Sequence, residues 1–172
     1  MKRIITATVR NRSGVLNRVT SLLQRRQFNI ESISVGRTET ENMSKMTFAF
    51  EVDDFPKLEQ VTKQLNKQID VLKVSDISDK AIVASELALI KIVSNSQLLG
   101  EIQGIIEPFR ASIIDVSKDS LALQVTGKPE KVEALIELLH PYGIIELART
   151  GLTAFVRGQQ PNTQDRNIQS LF

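Results

Sequence analysis

Near the N-terminus the run Arg10-Asn11-Arg12-Ser13-Gly14-Val15-Leu16 combines residue types that suit a small ligand bearing both charges. It falls where an alternating segment gives way to helical spacing. A helix start presents unpaired N–H groups and a partial positive charge, and both attract a carboxylate. Gly14 has no side chain to keep a ligand from that backbone, and Asn11 offers an amide oxygen to an ammonium group. An anion site beside a cation site suits a zwitterion, hence a free amino acid. A strand-to-helix turn also needs a cap and often a glycine, so Ser13 and Gly14 equally fit an ordinary helix cap, and spacing alone leaves both readings open.

A second candidate, Phe28-Asn29-Ile30-Glu31-Ser32, begins the next strand, where Asn29 could also end the preceding helix as a left-handed cap. Around these residues the periodicity is regular. Ile5, Ala7 and Val9 alternate with Thr6, Thr8 and Arg10, which predicts a strand over residues 3–10. Val15, Leu16, Val19, Leu22 and Leu23 stripe a helix capped by Ser13. A strand follows over 28–35, with Ile33 and Val35 on one face, then a polar connection over 36–42. Met46, Phe48, Phe50 and Val52 alternate with polar or small residues in a third strand. Asp54 then caps a helix with Pro56 in its first turn and a buried stripe of Leu58, Val61, Leu65 and Ile69. Residues 71–77 supply a fourth strand.

After a polar connection over 78–85 the order βαββαβ starts again. Strands are expected over 87–94, 113–117, 121–126 and 144–149, with helices striped by Leu98, Leu99, Ile102, Ile105, Ile106 and Phe109 and over 128–139. The fold class is therefore α+β, two ferredoxin-like βαββαβ domains, each a four-stranded antiparallel sheet with two helices on one face. The expected division is 1–78, 79–157 and a disordered tail over 158–172. In the first copy the face without helices carries Thr6, Thr8, Thr47 and Ala49, compatible with water or a partner.

The composition excludes several chemistries. With 172 residues, 41% hydrophobic and 24% charged, the chain has globular proportions. It has no Cys, which removes disulfides, thiolate metal sites and cysteine nucleophiles, and His140 is its one His. No apolar run approaches the roughly 18 residues of a membrane helix, and a cytoplasmic location is expected. The net charge is only +2, although residues 1–30 hold seven basic and no acidic residues.

Several separated motifs then resemble one family. Asn11, Ser13, Gly14, Val15, Leu16, Arg18 and Val19, followed by 28–33, by Ser44-Lys45-Met46-Thr47 and by Val71-Leu72-Lys73-Val74, resemble the ACT domain of the acetolactate synthase (acetohydroxyacid synthase) small regulatory subunits. Glu86-Leu87-Ala88-Leu89-Ile90-Lys91 and the segments 109–116 and 146–151 resemble the C-terminal domain of the same subunits. The resemblance implies a non-catalytic chain partnering a large catalytic subunit that holds thiamine diphosphate, a divalent metal and often FAD. That partner makes acetolactate from pyruvate in branched-chain amino acid synthesis. It implies activation of the large subunit, feedback inhibition by valine as allosteric ligand, and homodimers formed by ACT domains side by side. Carried over, Asn11, Ser13, Gly14, Val15 and Leu16 hold the effector's polar ends, and Asn29 and Ile30 complete the site from a neighbouring chain. Asn17 stands where many relatives carry a small hydroxyl residue, which bears on effector preference.

The polar connection formed by Arg37, Thr38, Glu39, Thr40 and Glu41 is the expected contact with the large subunit, because a hairpin tip at a sheet edge is where partners are commonly met. Two other classes fit less well. An RNA-binding module stacks bases on exposed strand aromatics, whereas Phe48 and Phe50 share the core face. A stand-alone enzyme lacks a nucleophile motif, a phosphate loop or a metal cluster; His140 before Pro141 suits a helix end, and Asp53-Asp54 suits a cap. A free-standing amino-acid sensor remains the nearest alternative.

Overall fold

The computed structural model describes residues 1–52, 55–95 and 97–158. Asp53 and Asp54, expected as a cap, and the tail from residue 159 lie outside the described residues. Contacts among the described residues divide the chain into two compact units: residues 1–83 with 154–158, and Ala84–Thr153.

In the first unit the elements follow the expected βαββαβ order: β1 (Lys2–Arg10), α1 (Val15–Arg25), β2 (Ile30–Arg37), β3 (Met43–Glu51), α2 (Phe55–Asn66) and β4 (Val71–Asp76). The sheet order is β2-β3-β1-β4, every neighbouring pair antiparallel. The alternation of β1 and β3 places Ile5, Ala7, Val9, Met46, Phe48 and Phe50 on one face, where they pack with Val19, Leu23, Leu58, Val61 and Leu65 in one core. Phe48 and Phe50 are fully buried, so neither offers a ring to a base. On the opposite face Thr6, Thr47 and Ala49 are buried as well, and Thr8 is half-buried.

Ile69 departs from the expected stripe. Helix α2 ends at Asn66, three residues earlier, and Ile69 is 89% exposed in the connection to β4. Gln68 and Val71 N–H donate to the Leu65 and Gln68 carbonyls at 3.1 and 3.0 Å, turning the chain away from the helix axis.

The remaining elements are β5 (Ile82–Val93), α3 (Leu99–Ile106), β6 (Ser112–Val116), β7 (Ser120–Gly127), α4 (Pro129–Leu139), β8 (Ile144–Arg149) and β9 (Thr153–Val156); they make up the second unit except for the first two residues of β5 and the last three of β9, which fall to the first. The second unit's sheet order β6-β7-β5-β8 repeats that of the first sheet strand for strand, and β9 also pairs with β5. Ala88, Ile90, Ile92, Leu121 and Leu123 form its core with Ile102, Ile106, Val132 and Leu135. Two features differ from the pattern reading. β5 begins at Ile82, five residues early, and β9, a strand the pattern did not show, pairs with it. The expected single helix to Phe109 gives way to a tighter turn at Glu107–Phe109, where Pro108 removes a helix donor.

Candidate functional site

The expected ligand turn lies where the chain leaves β1. Two main-chain bonds fix that exit: Arg10 N–H donates to the Asp70 carbonyl at 2.8 Å and Asn11 N–H to the Asn42 carbonyl at 2.7 Å. The chain then folds back, with Val15 N–H on the Arg12 carbonyl at 3.3 Å. Gly14, third residue of this four-residue turn, has φ 81° and ψ −8°, as in a type II turn. That backbone conformation strains any residue with a Cβ.

Gly14, not Ser13, is the N-cap of α1, and no side chain caps the helix. The reason is geometric: the turn needs its left-handed residue directly before the helix, so glycine takes the cap position and Ser13 falls outside it. The first helical N–H groups have no carbonyl one turn back. With no side-chain cap, Leu16 and Asn17 N–H keep their capacity for another acceptor, and the first turn of α1 contains no acidic residue to compete. Asn11, Ser13 and Gly14 are exposed beside them. Val15 is buried in the core, leaving only its backbone for a ligand, while Leu16 is 43% exposed.

Asn29 and Ile30 are elsewhere. Ile30 pairs with Phe50, and Phe50 with Arg3, which puts them level with the start of β1, whereas the turn follows its end. At ~3.3 Å per residue the two parts are about 23 Å apart along the sheet. Within one chain they do not meet. Nor is Asn29 a left-handed cap: Gln27 takes that conformation at φ 57°, ending the helix two residues sooner.

The connection after β2 reaches the turn directly, through the Asn42 carbonyl. Its tip is ordered by Thr38, whose hydroxyl accepts from Thr40 N–H at 3.2 Å and whose N–H donates to the Met43 carbonyl at 3.1 Å. Two residues outside the expected site also converge here. Arg18 on α1 donates to the carboxylate of Asp70, which precedes β4, and Arg12 Nη1 is 3.8 Å from the same carboxylate. Arg18 was legible as one turn beyond Gly14; Asp70, distant in sequence, was not.

At the other end of β1 a polar cluster ties the exit of β4 back to the sheet. Arg3 donates to Asp76 at 2.6 Å and to Asp79 at 3.0 Å, and its guanidinium stacks 4.9 Å from the Phe55 ring centre. Burial pushes the Asp76 carboxyl up, but hydrogen bonds from Ser78 and Arg3 outweigh it and hold the group below its ordinary value. His140 is the exposed C-cap residue of α4, as expected of a helix end.

An antiparallel βαββαβ unit with sheet order β2-β3-β1-β4 and two helices is an ACT-like α+β fold. Residues 5–73 match the family model described as an AHAS small subunit-like ACT domain, and residues 85–158 match that of the small subunit of acetolactate synthase. The chain is 61% identical over 171 residues to the acetolactate synthase small subunit of Bacillus subtilis, covering 99% of each. It is 49% identical to the probable acetolactate synthase small subunit of Archaeoglobus fulgidus, covering 93% of this chain and 99% of that one. The crystal structure of the Thermotoga maritima acetolactate synthase small subunit superposes with a TM-score of 0.84 at 36% identity, over 93% of this chain and 99% of that one. The chain belongs to the acetolactate synthase small-subunit family.

Proposed function

We propose that this chain is the regulatory subunit of an acetolactate synthase: it binds the large catalytic subunit, raises its activity and makes it sensitive to feedback inhibition by a branched-chain amino acid, valine first. The observation that carries the effector reading is the start of α1, where no side chain caps the helix and Gly14, Leu16 and Asn17 are exposed beside Asn11. A valine carboxylate would take the N–H groups of the turn and its ammonium group the Asn11 amide oxygen.

The separation of Asn29 and Ile30 from the turn argues for a second copy. β2 is an edge strand. If two β2 strands pair antiparallel across a twofold axis, the Asn29 end of one lies level with the Arg37 end of the other, which is the end of the sheet where the turn sits. The partner's β2 would then close each site, giving two equivalent sites per dimer. We assign the chemistry of pyruvate condensation, with its thiamine diphosphate, divalent metal and often FAD, to the large subunit. We place the pair in the cytoplasm, where that biosynthesis proceeds, and assign the contact with the large subunit to residues 37–41.

The experiment is reconstitution. The purified chain is expected to form no acetolactate alone, to raise the rate of its large subunit, to confer valine inhibition and to sediment as a dimer. Acetolactate formation by the chain alone, or no effect on the large subunit, would overturn the assignment; valine binding without any effect on the large subunit would favour a free-standing sensor.

A further inference from the structure

The same main-chain frame surrounds both strand exits of the molecule. In the first unit Arg10 N–H donates to Asp70 and Asn11 N–H to Asn42; in the second, Val93 N–H donates to the Gly143 carbonyl at 2.9 Å and Ser94 N–H to the Asp119 carbonyl at 3.2 Å. The strand registers make Asp70 and Gly143 equivalent, each directly preceding the strand that pairs with the exit. A glycine performs this role in the second unit, so the frame does not require a carboxylate. Yet Asp70 is only 8% exposed, its Oδ1 has no hydrogen-bond donor, and its carboxylate gathers both Arg18 and Arg12. Burying a carboxylate carries a desolvation cost, and here it is offset by one arginine on the turn and one on α1.

Arg18 has a particular position. Its Nη2 is held by Asp70, while its Nη1 lies 3.4 Å from where a Cβ on Gly14 would be. The guanidinium thus stands beside the one residue whose missing side chain opens the turn. Resting on the reading of this turn as the effector site, we propose that Arg18, oriented by Asp70, is the cation that binds the effector's carboxylate. Asp70 is the positioning residue: it fixes one edge of the guanidinium and leaves the other toward the ligand. The planar fork of Arg suits this division, because one edge can serve the protein and the other a carboxylate.

The test is calorimetric titration of the full-length chain with valine and with valinamide, which keeps the ammonium group and lacks the carboxylate. Arg18→Met should weaken valine about ten- to hundredfold, as expected for loss of a charge-assisted bond, and leave valinamide binding within about twofold, so the preference for valine collapses. Asp70→Asn should move the same ratio by less, and Arg18→Lys, which keeps the charge without the fork, should restore part of it. A merely structural role would weaken both ligands together. The inference fails if Arg18→Met and Asp70→Asn keep the wild-type preference while Gly14→Asp abolishes binding. If Gly14→Asp also leaves valine binding intact, or the wild-type chain binds no valine, the effector turn itself is misassigned.

Discussion

The two units repeat one strand order, yet their first turns are built to opposite ends. After β1 the turn has a left-handed glycine, no side-chain cap and no acid in the first helical turn. After β5 the Asn95 side chain accepts from Gln97 and Leu98 N–H at 3.0 and 3.1 Å, and Glu101 occupies the first turn of α3. α3, like α1, has no side chain on its N-cap, but the second turn ties two of its own N–H groups to Asn95 before the helix begins and carries a negative charge in the first helical turn, which repels a carboxylate. Equal folds therefore do not make equal turns; what differs is the left-handed glycine, the Asn95 contact and the sign of charge at the helix start.

A second contrast concerns the ends of the same strands. Arg3, two residues before Ile5, pairs with Asp76 opposite Ile5; Glu86, two residues before Ala88, pairs with Arg149 opposite Ala88. The positions are equivalent and the charges exchanged. The fold asks for a complementary pair at this corner and is indifferent to its sign. The hairpins differ too: in the second unit Ser117 N–H donates to the Ser120 carbonyl at 2.8 Å, closing a tight turn, whereas in the first the longer connection over 38–42 reaches the turn after β1 through the Asn42 carbonyl.

The largest effect should come from Gly14→Asp. It puts a carboxylate where the effector's own is expected and forces a residue with a Cβ into a left-handed conformation at about 1–2 kcal/mol. Valine inhibition of the reconstituted enzyme should disappear, with a modest fall in the melting temperature of the small subunit; retained inhibition would erase the distinction between the two turns. Asn11→Ala should weaken valine by roughly 10- to 150-fold, the loss of about 1.5 to 3 kcal/mol for a charge-assisted bond, read as an increase in the inhibitory concentration.

Replacing residues 38–41 with a short Gly/Ser turn should reduce activation of the large subunit. Because Asn42 holds the Asn11 N–H, the replacement must spare it; valine binding should then persist, and unchanged activation would remove this connection from the interface. In the second unit Asn95→Ala should cost about 1 kcal/mol of stability, in the range for lost side-chain-to-backbone hydrogen bonds, and leave the valine response unchanged. A changed response would mean that the closed turn also communicates with the effector. Smallest of all is a pH effect. The Asp76 carboxyl is held below its ordinary 3.8, so its contribution to stability is present above that value and is lost as pH falls through the folded-state value. Arg3→Met should move the acid transition, followed by circular dichroism, to slightly higher pH.

The sequence alone determined most of the frame. Period-two alternation in β1 and β3 and helical stripes in α1, α2 and α4 follow from which side chains must leave water, and this is a local property of the chain. The turn at residues 11–16 was legible too, because the alternation of β1 gives way there to the helical spacing of α1; its left-handed glycine was not. Elements whose limits depend on distant partners were not legible: the early start of β5, the strand β9 and the exposure of Ile69 follow from pairing and from where α2 stops. Tertiary structure decided more at the site. It made Gly14 rather than Ser13 the cap, put Asn29 and Ile30 at the far end of the sheet, and brought Asp70 and Arg18 together across 52 positions of sequence. Such contacts exist only when β1 and β4 lie side by side, and no local pattern encodes which charge will face which.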